Sequence, residues 1–146
     1  MLDEYIALLK RQEGLKLTPY LDQVGLPTIG YGHRIPTLNV PPITEARAEQ
    51  MLREDVAHAE SEALELAPNL AAFPRPLAAL TDLCFNAGAN ALHGTGTLAA
   101  FKRGDWVDAK ARYVKWDKAH DPKGHLVTLP VLTRRRALLA SWINPT

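Results

Sequence analysis

The sequence predicts an α+β fold that is mainly helical, in which a small N-terminal β-hairpin lobe and a larger helical lobe are joined by a long helix. Three observations lead to this prediction. Apolar residues recur at helical spacing over most of the 146 residues, glycines punctuate short pieces between positions 15 and 34, and one long helical pattern covers about 45–66. We expect a single domain over 1–146, with the β lobe at about 15–43 and the helical lobe at about 67–146 together with the N-terminal helix.

The first predicted helix begins at Asp3, a favourable N-cap, and ends at Glu13, because Gly14 supplies a stop. Glu13 then occupies the C-terminal end of a helix, where the helix dipole disfavours a second negative charge. A carboxyl group in such a position is biased toward holding its proton. This placement suits a general acid.

The segment 15–34 has a different pattern. Its glycines separate extended pieces at 17–21 and 28–31, which predicts a small β-hairpin or a three-stranded sheet with tight turns. The proline-rich stretch 35–42 is predicted to be a loop.

Helices are predicted for most of the remaining chain. Thr44 is a suitable N-cap for a long helix from Glu45 to about Leu66, with apolar residues on one stripe and charged residues on the opposite face. A loop is predicted at 121–124. The other predicted helices cover 76–87, 97–102, 106 to about 119, and 130–143.

The composition argues against several classes of protein. Cys84 is the only cysteine, so no internal disulfide forms, and its apolar sequence neighbours predict a buried, unreactive thiol. The five histidines do not occur at metal-ligand spacings, so we predict no metal site and no cofactor. The chain has neither a long apolar run nor an N-terminal segment of the signal-peptide type, so we predict no membrane span and no signal peptide.

The net charge of +1 is unevenly distributed along the chain. Residues 1–73 contain 6 basic and 11 acidic side chains, whereas residues 74–146 contain 11 basic and 5 acidic ones. The basic half indicates an anionic partner, for which nucleic acid, envelope phosphates and peptidoglycan carboxylates are the candidates. The run Arg134–Arg136 is interpreted mainly as a solvated helix face, with weak contact to anionic envelope surfaces as the alternative.

One stretch of the sequence contains candidate groups for catalysis. It reads EGLKLTPYLDQVGLPTIGYGH from Glu13 to His33, and it contains Asp22 and Thr28. Glycoside hydrolysis needs one carboxylic acid to protonate the leaving oxygen and a second group to stabilise charge or orient water on the other side of the sugar ring. A hairpin that doubles back beside a helix end would hold Asp22 and Thr28 across a cleft from Glu13. Two acids at this spacing are common, so the spacing alone does not establish the reaction.

The same stretch resembles the signature of the phage-type lysozymes, the endolysins of glycoside hydrolase family 24. The resemblance continues more weakly over nearly the whole chain and implies a lysozyme-like fold. The chain departs from the family pattern in its last helix, where Val131-Leu132 replaces Gly-Leu and a leucine replaces a common glutamate. The matching positions of the signature are Glu13, Gly14, Leu17, Tyr20, Asp22, Gly25, Thr28, Ile29, Gly30, Tyr31, Gly32 and His33.

The resemblance implies an enzyme that hydrolyses the β-1,4 bond between N-acetylmuramic acid and N-acetylglucosamine in bacterial peptidoglycan, for host cell lysis. Glu13 would be the general acid, Asp22 would stabilise the oxocarbenium-like transition state and help orient water, and Thr28 would position that water. If the water attacks from the opposite face, the reaction inverts the anomeric centre, and the two carboxyl groups should lie roughly 6.5–9.5 Å apart. The expected substrate-binding residues are Gly30, Tyr31 and Arg135, and Arg135 is also the expected partner of Glu13.

The resemblance also implies the partners and the location. Peptidoglycan glycan strands are the expected partner, with no nucleic acid, and the chain is expected to be a monomer. It would stay in the host cytoplasm before release to the periplasm or cell wall.

Two other functions are weighed against this one. A lytic transglycosylase would use Glu13 alone, because the sugar's own hydroxyl attacks, so Asp22 and Thr28 argue against it. A non-catalytic wall-binding or nucleic-acid-binding protein would not need the complete set of three residues.

Two parts of the motif also have structural interpretations. The segment Gly30-Tyr31-Gly32 is interpreted as a strand that approaches another backbone closely, and the resemblance implies that such a strand also lines the sugar cleft. His33 is expected to be a hydrogen-bonded structural histidine.

Overall fold

The structure is a computed structural model that describes residues 2–145. These residues cluster into two compact units: the sheet unit, formed by 2–57 with 120–125, and the helical unit, formed by 58–119 with 126–145. The N-terminal helix belongs to the sheet unit, whereas the sequence predicts that it groups with the helical lobe. The mainly helical α+β class is confirmed. That the chain works as a single domain stays a prediction.

Three short antiparallel strands form the sheet of the sheet unit. Of the two predicted arrangements, a hairpin or a three-stranded sheet, the structure therefore has the second. The middle strand carries Thr28, which lies opposite Tyr20 on one neighbouring strand and Arg34 on the other. The elements of this region are α1 (Leu2–Glu13), β1 (Lys16–Leu21), β2 (Pro27–Gly30) and β3 (His33–Arg34).

The long helix α2 (Glu45–Leu66) begins and ends where the sequence predicts. Thr44 caps it, because Thr44 Oγ1 accepts a hydrogen bond from the Arg47 amide at 3.1 Å. The helix contributes residues to both units. Within residues 2–145 no helix, α2 included, is both long enough and apolar enough to cross a membrane.

Two ion pairs join α1 to α2. The Asp3 carboxylate lies 3.2 Å from an Arg53 guanidinium nitrogen, and Lys10 Nζ lies 2.6 Å from Glu49 Oε1. The prediction that Asp3 caps α1 is wrong, because the helix already includes Leu2 and Asp3 lies within its first turn. An acidic residue in that turn still interacts favourably with the helix dipole. The buried apolar side chains of these two helices in the sheet unit are Tyr5, Ile6, Leu8, Leu9, Ala48, Met51, Leu52 and Val56.

The helical unit contains the remainder of α2 and the shorter helices. The helix that begins at Trp106 ends at Tyr113 instead of continuing to about 119. The last helix ends at Ala140 instead of 143, and Trp142 and Ile143 are nevertheless buried. The elements after α2 are a 3-10 turn (Pro68–Ala72), α3 (Pro74–Ala87), a second 3-10 turn (Ala89–Leu92), α4 (Gly96–Lys102), α5 (Trp106–Tyr113), β4 (Lys118–His120), β5 (Leu126–Thr128) and α6 (Pro130–Ala140).

The hairpin of β4 and β5 is an element that sequence reasoning missed. Asp121 organises its turn. The Asp121 amide donates to the His125 carbonyl at 2.8 Å, and Asp121 Oδ1 accepts from the amides of Lys123 and His125, both at 2.9 Å. The Gly124 amide donates to the Asp121 carbonyl at 2.9 Å. An aspartate side chain that accepts nearby amides stabilises a turn in competition with a helix, which favours the hairpin at this point of the chain.

A buried ionic cluster joins α3 to α6 in the helical unit. The Asp82 carboxylate accepts hydrogen bonds from Arg135 Nη2 at 2.7 Å and from Arg136 Nη1 at 2.8 Å. Arg135 and Arg136 are 6% and 0% exposed, so the interpretation of this run as a solvated face is wrong for both of them. Arg134 is exposed. The expected weak contact of this run with anionic envelope surfaces therefore rests on Arg134 alone.

Cys84 on α3 is buried, as predicted. Burial, followed by the negative charge of Glu62, raises the pKa of the Cys84 thiol to about 12. Because the thiolate is the nucleophilic form of cysteine, the folded chain holds this group in its unreactive state at neutral pH.

Candidate active site

Glu13 is the last residue of α1, and its carboxyl group lies against the backbone of Gly32. The helix stops there because Gly14 adopts a left-handed conformation with φ of +70° and donates its amide to the Lys10 carbonyl at 3.2 Å. A Cβ atom placed on Gly32 would lie 2.8 Å from Glu13 Oε2. The Glu13 carboxyl thus lies in direct contact with the connection between β2 and β3.

Asp22 follows β1 and shapes the turn into β2. Its amide donates to the Leu26 carbonyl at 2.9 Å, and the Gly25 amide donates to the Asp22 carbonyl at 3.0 Å. Asp22 Oδ1 accepts from the amides of Val24 at 2.9 Å and Leu26 at 2.8 Å, so the backbone fixes one oxygen of the carboxylate. The other oxygen, Oδ2, lies 3.9 Å from a guanidinium nitrogen of Arg34. The turn therefore orients Asp22 and leaves Oδ2 outside the turn's hydrogen bonds.

The turns at Asp22 and Asp121 have the same construction. In each, the aspartate amide donates to the carbonyl four residues later, and a glycine with positive φ donates back to the aspartate carbonyl. In each, Oδ1 accepts from the amides two and four residues later. Asp121 is therefore an internal reference for Asp22: it performs the same structural role without belonging to the motif.

Thr28 lies at the centre of the sheet and is 2% exposed. Its hydroxyl donates a hydrogen bond to the Leu26 carbonyl at 2.8 Å. Since this contact uses the hydroxyl proton, Thr28 has only oxygen lone pairs to offer a further group. A water molecule bound at Thr28 would therefore be the donor. Leu26, which the sequence reasoning did not single out, binds Thr28 through its carbonyl and Asp22 through its amide.

Tyr20, opposite Thr28 in the sheet, interacts electrostatically with both acids. Burial raises the pKa of the Tyr20 phenol, and the negative charges of Glu13 and Asp22 raise it further. Lys16 Nζ lies 4.4 Å from the centre of the Tyr20 ring. The sequence signature includes Tyr20, but no local signal distinguished it from the other tyrosines as a neighbour of both carboxylates.

Gly30 and Tyr31, the two expected substrate-binding residues of the sheet unit, are buried. Gly30 is buried, and a Cβ atom there would lie 3.4 Å from Ala48 Cβ on α2, which supports its interpretation as a position of close approach. Tyr31 is 7% exposed, and Lys10 Nζ lies 5.8 Å from its ring centre. Their contact with a sugar stays a prediction.

His33 is a structural histidine, as expected. Its Nδ1 lies 2.7 Å from Asp55 Oδ2, which ties the start of β3 to α2. The contact secures the chain immediately after Gly32. Gly32 matches the sequence signature, but it was not among the expected site residues; the available signal was a glycine between two strands.

Arg135 lies in the helical unit, where it binds Asp82. Its pairing with Glu13 and its contact with substrate stay predictions. No sequence signal identified Asp82 as its partner, because the two residues are 53 positions apart. Within residues 2–145 no three His, Cys, Asp or Glu side chains are grouped so that they could hold a metal ion.

These features define a protein of the lysozyme fold class, with a carboxyl group at a helix end and a hairpin that carries an aspartate and a threonine. The chain belongs to the phage lysozyme family, whose sequence model matches residues 10–138. It is 36% identical over 132 residues to an endolysin of Acyrthosiphon pisum secondary endosymbiont phage 1, which covers 90% of this chain and 88% of that protein.

Solved structures show the same likeness. An endolysin from Escherichia coli O157:H7 phage FAHEc1 superposes with a TM-score of 0.82 at 29% identity, covering 96% of this chain and 90% of that chain. The muramidase domain of SpmX from Asticaccaulis excentricus superposes with a TM-score of 0.81 at 26% identity, covering 96% and 94%. The predicted lysozyme-like fold is confirmed.

Proposed function

We propose that this chain is a muramidase that hydrolyses the β-1,4 bond between N-acetylmuramic acid and N-acetylglucosamine in bacterial peptidoglycan, and that it serves host cell lysis as an endolysin. The observation that carries the proposal is the geometry of the hairpin. One residue, Leu26, holds both Asp22 and Thr28. Membership of the phage lysozyme family and similarity to endolysins and a muramidase domain support the substrate.

Glu13 is proposed as the general acid that protonates the leaving glycosidic oxygen. Its contact with the Gly32 backbone limits the positions that the carboxyl group can adopt, and a fixed position is what proton transfer to a bound sugar requires. Departure of the protonated oxygen leaves positive charge on the sugar ring.

Asp22 and Thr28 are proposed to act on the other side of the scissile bond. The negative charge of Asp22 stabilises the oxocarbenium-like transition state, and its Oδ2 is the oxygen that the turn does not use. Thr28 Oγ1, which already donates its proton to Leu26, accepts a hydrogen bond from the attacking water and orients it. Attack from the face opposite the leaving group inverts the anomeric centre, which requires carboxyl groups roughly 6.5–9.5 Å apart.

The remaining parts of the proposal rest on the family resemblance. Gly30, Tyr31 and Arg135 would contact the glycan strand. The chain would act as a monomer, without nucleic acid, after it leaves the host cytoplasm for the periplasm or cell wall.

The test replaces Glu13 by glutamine, with Glu65→Gln as the matched control, because Glu65 is an exposed glutamate on α2. General acid catalysis contributes typically about 10²–10⁴-fold, so Glu13→Gln should slow the clearing of purified peptidoglycan at least about 100-fold while Glu65→Gln does not. Mass spectrometry of the products should find reducing ends. Unchanged clearing by Glu13→Gln would refute the proposal, and 1,6-anhydro ends would show a transglycosylase instead.

A further inference from the structure

Gly32 lies in the connection between β2 and β3 and has a backbone conformation with φ of +75°. A Cβ atom on this residue would lie 2.8 Å from Glu13 Oε2 and 3.1 Å from Glu13 Cδ. The first distance is shorter than carbon and oxygen atoms tolerate without a shift. Only a hydrogen atom fits between the Gly32 backbone and the Glu13 carboxyl group.

The segment that carries Gly32 is held to α2 on both sides. Before it, Gly30 packs against α2, where a Cβ atom would lie 3.4 Å from Ala48 Cβ. After it, His33 Nδ1 lies 2.7 Å from Asp55 Oδ2. Ala48 and Asp55 are two helical turns apart on α2 and therefore lie on the same side of it. With both sides fixed, the backbone at Gly32 has little freedom to move away from Glu13.

We propose that Gly32 is a positioning residue for catalysis: the absence of a side chain at this position defines where the Glu13 carboxyl group lies. This inference rests on the proposed role of Glu13 as the general acid. Any side chain at position 32 displaces the end of the flexible Glu13 side chain, because the anchored backbone moves less easily. Such a displacement perturbs the fold little, but a misplacement of about 1 Å is enough to slow catalysis about 100-fold.

The first test compares Gly32→Ala with Gly94→Ala. The two glycines have nearly the same positive φ, +75° and +74°, but a Cβ atom on Gly94 meets no atom within 4 Å. Both variants should therefore lower Tm by similar amounts. Gly32→Ala should reduce kcat on peptidoglycan about 100-fold with little change in KM, whereas Gly94→Ala should keep the wild-type kcat. Equal kcat values for the two variants would overturn the inference.

A second test moves the carboxyl group instead. In a Glu13→Asp background the acid is shorter by one methylene, which leaves room for a methyl group at position 32. Gly32→Ala should then reduce the remaining kcat much less than it does in the wild type. An equal reduction in both backgrounds would show that Gly32 does not act through Glu13.

The outcomes remain informative if Gly32→Ala does not fold. If Gly94→Ala folds and Gly32→Ala does not, removing the Glu13 carboxyl in the double variant Glu13→Ala, Gly32→Ala should restore folding, and failure to restore it would overturn the inference. The proposed function has its own criterion, the loss of activity in Glu13→Gln. If Glu13→Gln is inactive and Gly32→Ala has the same kcat as Gly94→Ala, the proposed function stands and only this inference is lost.

Discussion

Asp22 and Thr28 are held by the two polar backbone groups of one residue, since the Leu26 amide donates to Asp22 Oδ1 and the Leu26 carbonyl accepts from Thr28 Oγ1, each at 2.8 Å. The Leu26 backbone thus links the two side chains through hydrogen bonds, and the burial of Thr28 restricts it further. Such hydrogen bonds restrict both side chains, which is what the proposed orientation of the attacking water requires.

The duplicate turn at Asp121 separates the structural role of Asp22 from its chemical role. Replacement by asparagine keeps an oxygen that accepts the turn amides but removes the negative charge. Asp22→Asn should therefore keep the wild-type Tm and lose activity by at least about 100-fold, because charge near the transition state is lost. Asp121→Asn should keep both the wild-type Tm and the wild-type activity. Turnover of peptidoglycan and thermal unfolding check this, and a parallel fall in Tm for Asp22→Asn would mean that the charge itself stabilises the turn.

Thr28 offers a comparison between two conservative replacements. Thr28→Val keeps the shape of the side chain but loses the hydrogen bond to Leu26, which should lower the free energy of unfolding by about 1 kcal/mol. Thr28→Val should also remove the hydroxyl that orients the attacking water and so lower kcat, whereas Thr28→Ser should keep most of the activity. Thr128→Val, on an exposed position of β5, is the control. Urea denaturation and kcat measure the two effects; comparable kcat values for the valine and serine variants would exclude a role for the hydroxyl in catalysis.

The buried cluster of Asp82 with Arg135 and Arg136 should dominate the electrostatic contribution to stability. Asp82→Asn removes the charge of the carboxylate that binds both buried guanidinium groups, and breaking a buried pair in this way destabilises by about 3–5 kcal/mol. Asp108→Asn is the control, because Asp108 pairs with Arg112 at the surface, where such pairs contribute little. Urea denaturation should show a large shift of the midpoint for the first variant only. Similar midpoints would contradict the assignment.

Alkaline pH should reveal the buried thiol of Cys84. Its pKa is raised from 9.0 to about 12 in the folded chain, so folding favours the protonated form. The stability from this group is fully present below pH 9 and is lost as the pH rises from 9 to 12, by at most about 1.4 kcal/mol per pH unit. The wild type should therefore lose stability more steeply than Cys84→Ala over this range. Tyr113, whose pKa burial also raises, contributes equally to both curves, and parallel curves would rule out a buried thiol.

Local sequence signals predicted much of the fold. The bounds of α2 follow from a long periodic pattern and from the Thr44 cap, both of which act within a few residues. The β4–β5 hairpin was missed because the sequence predicts a helix from Trp106 to about 119, whereas the helix ends at Tyr113. The corrective signal was present, since the segment from Asp121 to Gly124 repeats the spacing of the turn from Asp22 to Gly25.

The site could be predicted only where its residues lie close together in sequence. Asp22 and Thr28 are joined through Leu26, so a short motif is enough to bring them together. The contact of Glu13 with Gly32 depends on how the sheet returns to the helix end, which no local pattern specifies. The burial of Arg135 was unpredictable for the same reason, because its acidic partner is distant in the chain.

The separation between Asp82 and its arginines also sets an order of events during translation. Arg135 and Arg136 are 53 and 54 positions beyond Asp82. While the ribosome adds those residues, α3 already carries an acidic group that has yet to meet its two guanidinium partners, and enclosing that charge without them is less favourable. A truncated chain that stops before Arg135 should therefore enclose α3 less stably than the full chain, and proteolysis should cleave it faster.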